Sequence, residues 1–108
     1  MIVLVFKYLL PKGYRGISLF PFIIFSDRNS KNNLVLMNHE KIHIRQQLEL
    51  LVIFFYIWYV IEFLMRYSQY KNWNLAYRNI SFEREAYTNE KDLNYLKKRS
   101  FWEFYNFI

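Results

Sequence analysis

The chain has two histidines. They stand four residues apart in "NHEKIHIRQQ", residues 38–47, with Glu40 directly after the first. On a helix, positions four apart lie on one face, one turn above the other. His39 and His43 could then aim imidazole nitrogens at a single point about 2.0 Å from each, as a zinc ion requires. Glu40 is turned about 100° from His39 and sits beside that point. From there its carboxylate could take a proton from a water activated by the metal. Both histidines are spent on this HExxH pattern, and chance alone produces it in roughly one such chain in a thousand.

A catalytic zinc ion usually has three protein ligands. Cys is absent and no third His exists, so the remaining ligand must be a carboxylate. Glu49 and Glu62 fall on or beyond the apolar segment after the histidines and are poorly placed to turn back. "FEREAY", residues 82–87, offers Glu83 and Glu85 at the start of a separate helix that could pack across the first. Carboxylates in a first turn also complement the helix dipole without any metal.

"HEKIHIRQQ" followed by "FEREAY" resembles the gluzincin branch of the zincin metallopeptidases. In that branch HExxH supplies two ligands and a later helix supplies a Glu in an E-x-x-A-D or E-x-x-A-N setting. The resemblance implies Glu83, with Ala86, as the third ligand, 40 residues after His43; Glu85 is the alternative. Gln46 is similar to the Gln of the HExxHxxQ form in small zincin-like proteins. The residue after the Ala is Tyr87 here, where the branch carries Asp or Asn, so support of the site from behind is altered. Tyr77, Arg78 and Tyr87 are the candidates for stabilising an oxyanion. The implied activity is zinc-dependent hydrolysis of peptide bonds in a peptide or protein substrate, with Glu40 as general base. An extended substrate would lie along the edge of a small sheet near Ile17 to Phe25. The alternatives are a membrane-associated protein, or a non-catalytic zincin-like protein with a structural or degenerate metal site.

The elements that must hold these residues can be read from breakers and periodicity. With 108 residues and 54% hydrophobic content, the chain suits a single domain with one core. Both prolines and both glycines lie within the first 21 residues, so residues 1–30 read as strands and turns, forming a small antiparallel sheet or hairpin. Pro21, inside "ISLFPFIIF", marks an edge strand or bulge. Residues 34–66 read as the histidine helix running into an apolar helix, and residues 81–99 as the helix of the third ligand, capped by Ser81. The fold class is therefore α+β and mostly α.

Net charge is +6, but the densest basic run, Lys97-Lys98-Arg99, is interspersed with acids and reads as a solvated face. No nucleic-acid partner is expected. The start of the chain reads poorly as a signal peptide, so the expected location is cytoplasmic. The longest uncharged run, Leu50 to Ile61, is 12 residues, short of the ~20 that a membrane span needs. Membrane association remains the alternative. The aromatic content of 22% reads as a product of A/T-rich coding, which also favours Asn, Lys and Ile, and not as a function.

Overall fold

A computed structural model describes residues 2–10 and 13–108. Three short strands, β1 (Ile2–Val5), β2 (Gly16–Leu19) and β3 (Phe22–Phe25), form one sheet in the order β1-β3-β2. The α+β, mostly helical class expected from the sequence is the one observed. The sheet itself corrects the expectation of a purely antiparallel arrangement. β2 and β3 do form an antiparallel hairpin, but β1 pairs with β3 in parallel, Ile2 opposite Phe22 through Val5 opposite Phe25. Pro21 sits neither in an edge strand nor in a bulge. Lacking an N–H, it lies in the tight turn between β2 and β3, where no ladder bond is needed.

Among the described residues six α-helices follow: α1 (Arg28–Lys31), α2 (Leu34–Glu49), α3 (Ile53–Tyr70), α4 (Trp73–Arg78), α5 (Ser81–Asn89) and α6 (Tyr95–Lys98). Polar side chains start three of them. Asp27 accepts from Ser30 N at 2.7 Å, Asn33 from Leu36 N at 3.1 Å, and Asn72 from Leu75 N at 3.0 Å. Each satisfies an orphan donor of the first turn. Ser81 does not cap α5 as expected; Ile80 holds that position. Ser81 instead gives its N–H and its hydroxyl to the buried carboxylate of Glu62, which also accepts from Trp58 Nε1. A distant acid thus does the work of a local cap.

α2 and α3 are separate helices that meet at 111°. The break falls at Leu51 and Val52, with φ of 55° and 64°. Neither residue favours that region, and the conformation costs on the order of 1–3 kcal/mol each. Leu50, 5% exposed, anchors the bend in the main core. There it packs with Phe55, Ile80, Phe82 and Phe104, ringed by Tyr56, Trp58, Tyr59 and Phe63. Phe82 is the hub, with ring centroids 4.4 Å from Phe55 and 4.7 Å from Phe104. A second cluster, Ile23, Phe25 and Ile44, clamps β3 onto α2. These two packings hold α2 between the sheet and α5.

The expected helix over 81–99 is in fact α5 and α6 with a turn between them. Lys97 and Lys98 are solvated, as expected of a basic run, but Arg99 is not: its side chain is 0% exposed.

Candidate metal centre

α2 buries the side of the helix that carries the histidines, and α5 brings Glu83 across it. His43 Nε2 lies 3.1 Å from His39 Nε2 and 3.0 Å from Glu83 Oε1, and His39 Nε2 lies 3.3 Å from the same oxygen. Three ligands of a tetrahedral zinc ion, with bonds of about 2.0–2.1 Å, stand about 3.3–3.4 Å apart. The observed triangle is close to that spacing. All three residues are buried.

The proton positions also suit a cation. Gln46 Nε2 donates to Phe82 O at 3.1 Å and to Glu85 Oε1 at 2.9 Å, which turns Gln46 Oε1 toward His43 Nδ1 at 2.8 Å. His43 must therefore carry its proton on Nδ1, leaving a lone pair on Nε2 that faces the triangle. Glu85 in turn accepts from Tyr95 Oη at 2.7 Å and from Arg99, which also bridges to Glu49. Tyr59 Oη donates to Glu83 Oε2 at 2.9 Å, steering the other carboxylate oxygen inward. On the far side, His39 Nδ1 lies 3.4 Å from Glu90 Oε2, near enough for charge attraction but out of line for a hydrogen bond. The His43 lone pair and the Glu83 oxygen converge on one point, where a donated proton or a metal ion can sit between them.

Without metal, a proton serves. Burial alone would lower the pKa of His43, but the charge and hydrogen bond of Glu83, with Glu40 nearby, push it up to about 9. Glu83 moves the opposite way: burial would raise it, yet the charge of His43 and bonds from both histidines hold it well below the usual carboxylate range. A His whose folded pKa exceeds its ordinary 6.5 stabilises the fold below that value and loses this contribution as pH climbs toward 9. The metal-free chain should therefore melt at a lower temperature at pH 9 than at pH 6. The loss is up to about 3 kcal/mol, counted once for the His43–Glu83 pair. Thermal unfolding in chelator at both pH values checks this; a flat profile would remove the proton from the triangle.

Glu40 stands beside the triangle, on the side facing the sheet. Ser18 Oγ, from β2, donates to its Oε1 at 2.7 Å, and Gly16 passes so close that an added Cβ would lie 3.3 Å from Oε2. Burial raises its pKa, against the pull of the histidine charges and of the Ser18 bond. Glu40, His43 and Glu83 line a cavity of about 580 Å³, whose walls include Tyr14, Tyr56, Phe63, Trp73 and Tyr77.

The other residues singled out from the sequence fall into place around this centre. Glu85 is not beside the triangle but behind it, committed to Gln46, Tyr95 and Arg99. Tyr87 sets its ring edge-to-face against His39, centroids 4.6 Å apart, and the Arg78 guanidinium lies over that ring, 4.0 Å from its centroid. Of the three oxyanion candidates, Tyr77 lines the cavity.

The segment expected to hold an extended substrate is corrected. β3 is the central strand, with both edges paired, so Phe22 to Phe25 cannot receive a peptide. On β2 the outer edge is partly filled: Gln47 Nε2 donates to Ser18 O and Gln47 Oε1 accepts from Phe20 N, both at 2.8 Å. The alternation of an antiparallel strand turns the N–H and C=O of Gly16 to the same side as those of Ser18. Ser18, Gln47, Tyr59 and Arg99 were not expected at the site from the sequence. Gln47 directly follows Gln46, and the other three have no local signature.

Comparison of the chain with family models, with curated proteins and with solved structures finds no match. The functional reading therefore rests on the geometry of the site.

Proposed function

We propose that this chain is a zinc-dependent peptidase of zincin-like design, with His39, His43 and Glu83 holding the ion and Glu40 as general base. The observation that carries this reading is the triangle of two Nε2 atoms and one carboxylate oxygen, with edges of 3.0–3.3 Å, beside a buried glutamate at a cavity wall. A zinc ion there would supply a water acidified to a pKa near 7 and would polarise a carbonyl.

The chain's own groups account for the remaining steps. Glu40 takes the proton of the attacking water on its carboxylate and returns it to the departing amine nitrogen. Ser18 holds one carboxylate oxygen of Glu40, which fixes the direction in which the other is presented. Burial and the nearby Glu83 push the Tyr77 phenol up, so it stays protonated at neutral pH and can donate to the developing oxyanion. Gly16 offers the substrate main chain an N–H and a C=O at the open end of β2, and the aromatic walls of the cavity keep bulk water away from the reacting bond.

Metal analysis is the direct test. The purified chain should carry about one equivalent of zinc, and His43→Ala should carry almost none. Equal zinc in the two would end the metal reading. Zinc in the native chain without hydrolysis of unfolded casein would support a site that binds but does not catalyse.

A further inference from the structure

α3 turns one face to the core and leaves the other bare. Ile53, Phe54, Ile57, Val60, Ile61, Leu64 and Met65 are each 50–68% exposed. Their spacing of three and four residues places them in one stripe about 18 Å long. No charged side chain interrupts it: Glu62 is buried and Arg66 is half-buried beside it. Leu51, 73% exposed, carries the stripe to the bend before α3. Monomers in water seldom leave a contiguous aliphatic surface of this extent.

The charges outside the stripe are distributed unevenly. Net charge is +6. Among the described residues Asp27 is the single exposed Asp or Glu; the others are buried or half-buried, several of them in the candidate metal centre or paired with Arg99. Among the described residues the Lys and Arg other than Arg66, Arg84 and Arg99 stand in water instead. Lys41 and Arg45 share an outer face of α2 with the exposed Leu48, and Lys71 follows the end of α3. Near that end Tyr67, Tyr70 and Trp73 are exposed, aromatic rings with polar tips of the kind that settle at lipid headgroups.

We propose that the α3 stripe seats this protein on an anionic phospholipid bilayer, with the helix lying in the plane of the interface. The occupant of this face must be apolar where it meets the stripe, and the net charge of +6, carried by exposed Lys and Arg, favours one that is negative. A second copy of the chain would match the stripe but would bring together two chains that each carry a net charge of +6. A bilayer containing anionic lipid supplies both the acyl region and a negative surface potential. No single helix among the described residues is long and apolar enough to cross a membrane, and α2 with α3 meets that test only as a bent pair. An in-plane seat requires no crossing. Val60 belongs both to the stripe and to the cavity wall, so the cavity lies beside the lipid-facing side. The proposal does not depend on the peptidase reading.

Vesicle flotation of the full chain tests it. The chain should rise with phosphatidylcholine vesicles that contain phosphatidylglycerol, and far less with phosphatidylcholine alone. Added sodium chloride, or Ile57→Glu combined with Ile61→Glu, should each cut the bound fraction about tenfold. Circular dichroism would show that the double variant is still folded. In an otherwise native chain, Phe54→Trp should lose fluorescence to lipids brominated in their acyl chains. A chain that stays in solution with both kinds of vesicle overturns the proposal. So does a dimer in analytical ultracentrifugation that vesicles fail to disperse and the double variant dissolves; that result assigns the stripe to a second copy.

Discussion

Glu40→Gln should lower kcat/KM on an unfolded protein substrate by about 10³–10⁴-fold while zinc content stays at the native level. The change is nearly isosteric, so the packing around it should survive. Gln can still accept the Ser18 hydroxyl bond that the Glu40 carboxylate receives at 2.7 Å. What it cannot do is take a proton. A loss of that size corresponds to about 4–5.5 kcal/mol of transition-state stabilisation, within the range of one well-placed general base. Parallel zinc analysis and steady-state kinetics on the two proteins decide the matter. Activity within a few-fold of native would assign proton transfer to another group. Lost zinc would mean that Glu40 supports the ligands and not the chemistry.

Arg99→Ala should be the most destabilising change outside the main core. The Arg99 side chain is 0% exposed and forks between Glu85, also 0% exposed, and Glu49, 4% exposed. Removing the guanidinium leaves two carboxylates facing each other out of water, at a cost of about 3–5 kcal/mol. Small domains have only about 5–15 kcal/mol in hand, so the melting temperature should fall by tens of degrees. Arg99→Lys keeps the charge but loses the planar fork, and should fall between the two. The Lys variant also reports on function. With Glu85 less firmly held, Gln46 and through it His43 lose their fixed orientation, and zinc affinity should drop about 10–100-fold. Thermal unfolding and zinc titration test both parts. A melting temperature within a degree or two of native in Arg99→Ala would show that the buried ion network holds nothing together.

The sequence disclosed the local features of the site and missed the distant ones. His39, Glu40 and His43 are legible because a helix turns a four-residue spacing into proximity, and the start of α2 at Leu34 follows from its Asn33 cap. From the residues alone Glu83 and Glu85 stay open as carboxylates on a later helix, and the resemblance implies Glu83. The geometry brings Glu83 to the histidines and turns Glu85 to Tyr95 on the other side of α5. Ser18, Tyr59 and Arg99 reach the site through tertiary packing and leave no periodic trace. The bend between α2 and α3 was hidden for a related reason. Glycine or proline would have announced it, but here the burial of Leu50 forces Leu51 and Val52 into a conformation neither prefers. Arg99 read as part of a solvated basic run because burial of one charge among three is decided by its partners, Glu49 and Glu85. Pro21 was recognised as a ladder-breaker, but the edge strand or bulge expected there is a tight turn between β2 and β3. The parallel pairing of β1 with β3 is a non-local contact that leaves no local signal.

The side-chain amide of Gln47 has a second consequence, for solubility. An open strand rim is a template on which further chains can stack without limit, and small sheets are especially prone to it. By pairing with Ser18 and Phe20, Gln47 stands in for a neighbouring strand and leaves little of that rim for recruitment beyond the stretch at Gly16. One short opening can receive a passing polypeptide yet is too brief to seed a fibril. If β2 docks a substrate as proposed, docking and polymerisation are uncoupled within a single four-residue strand.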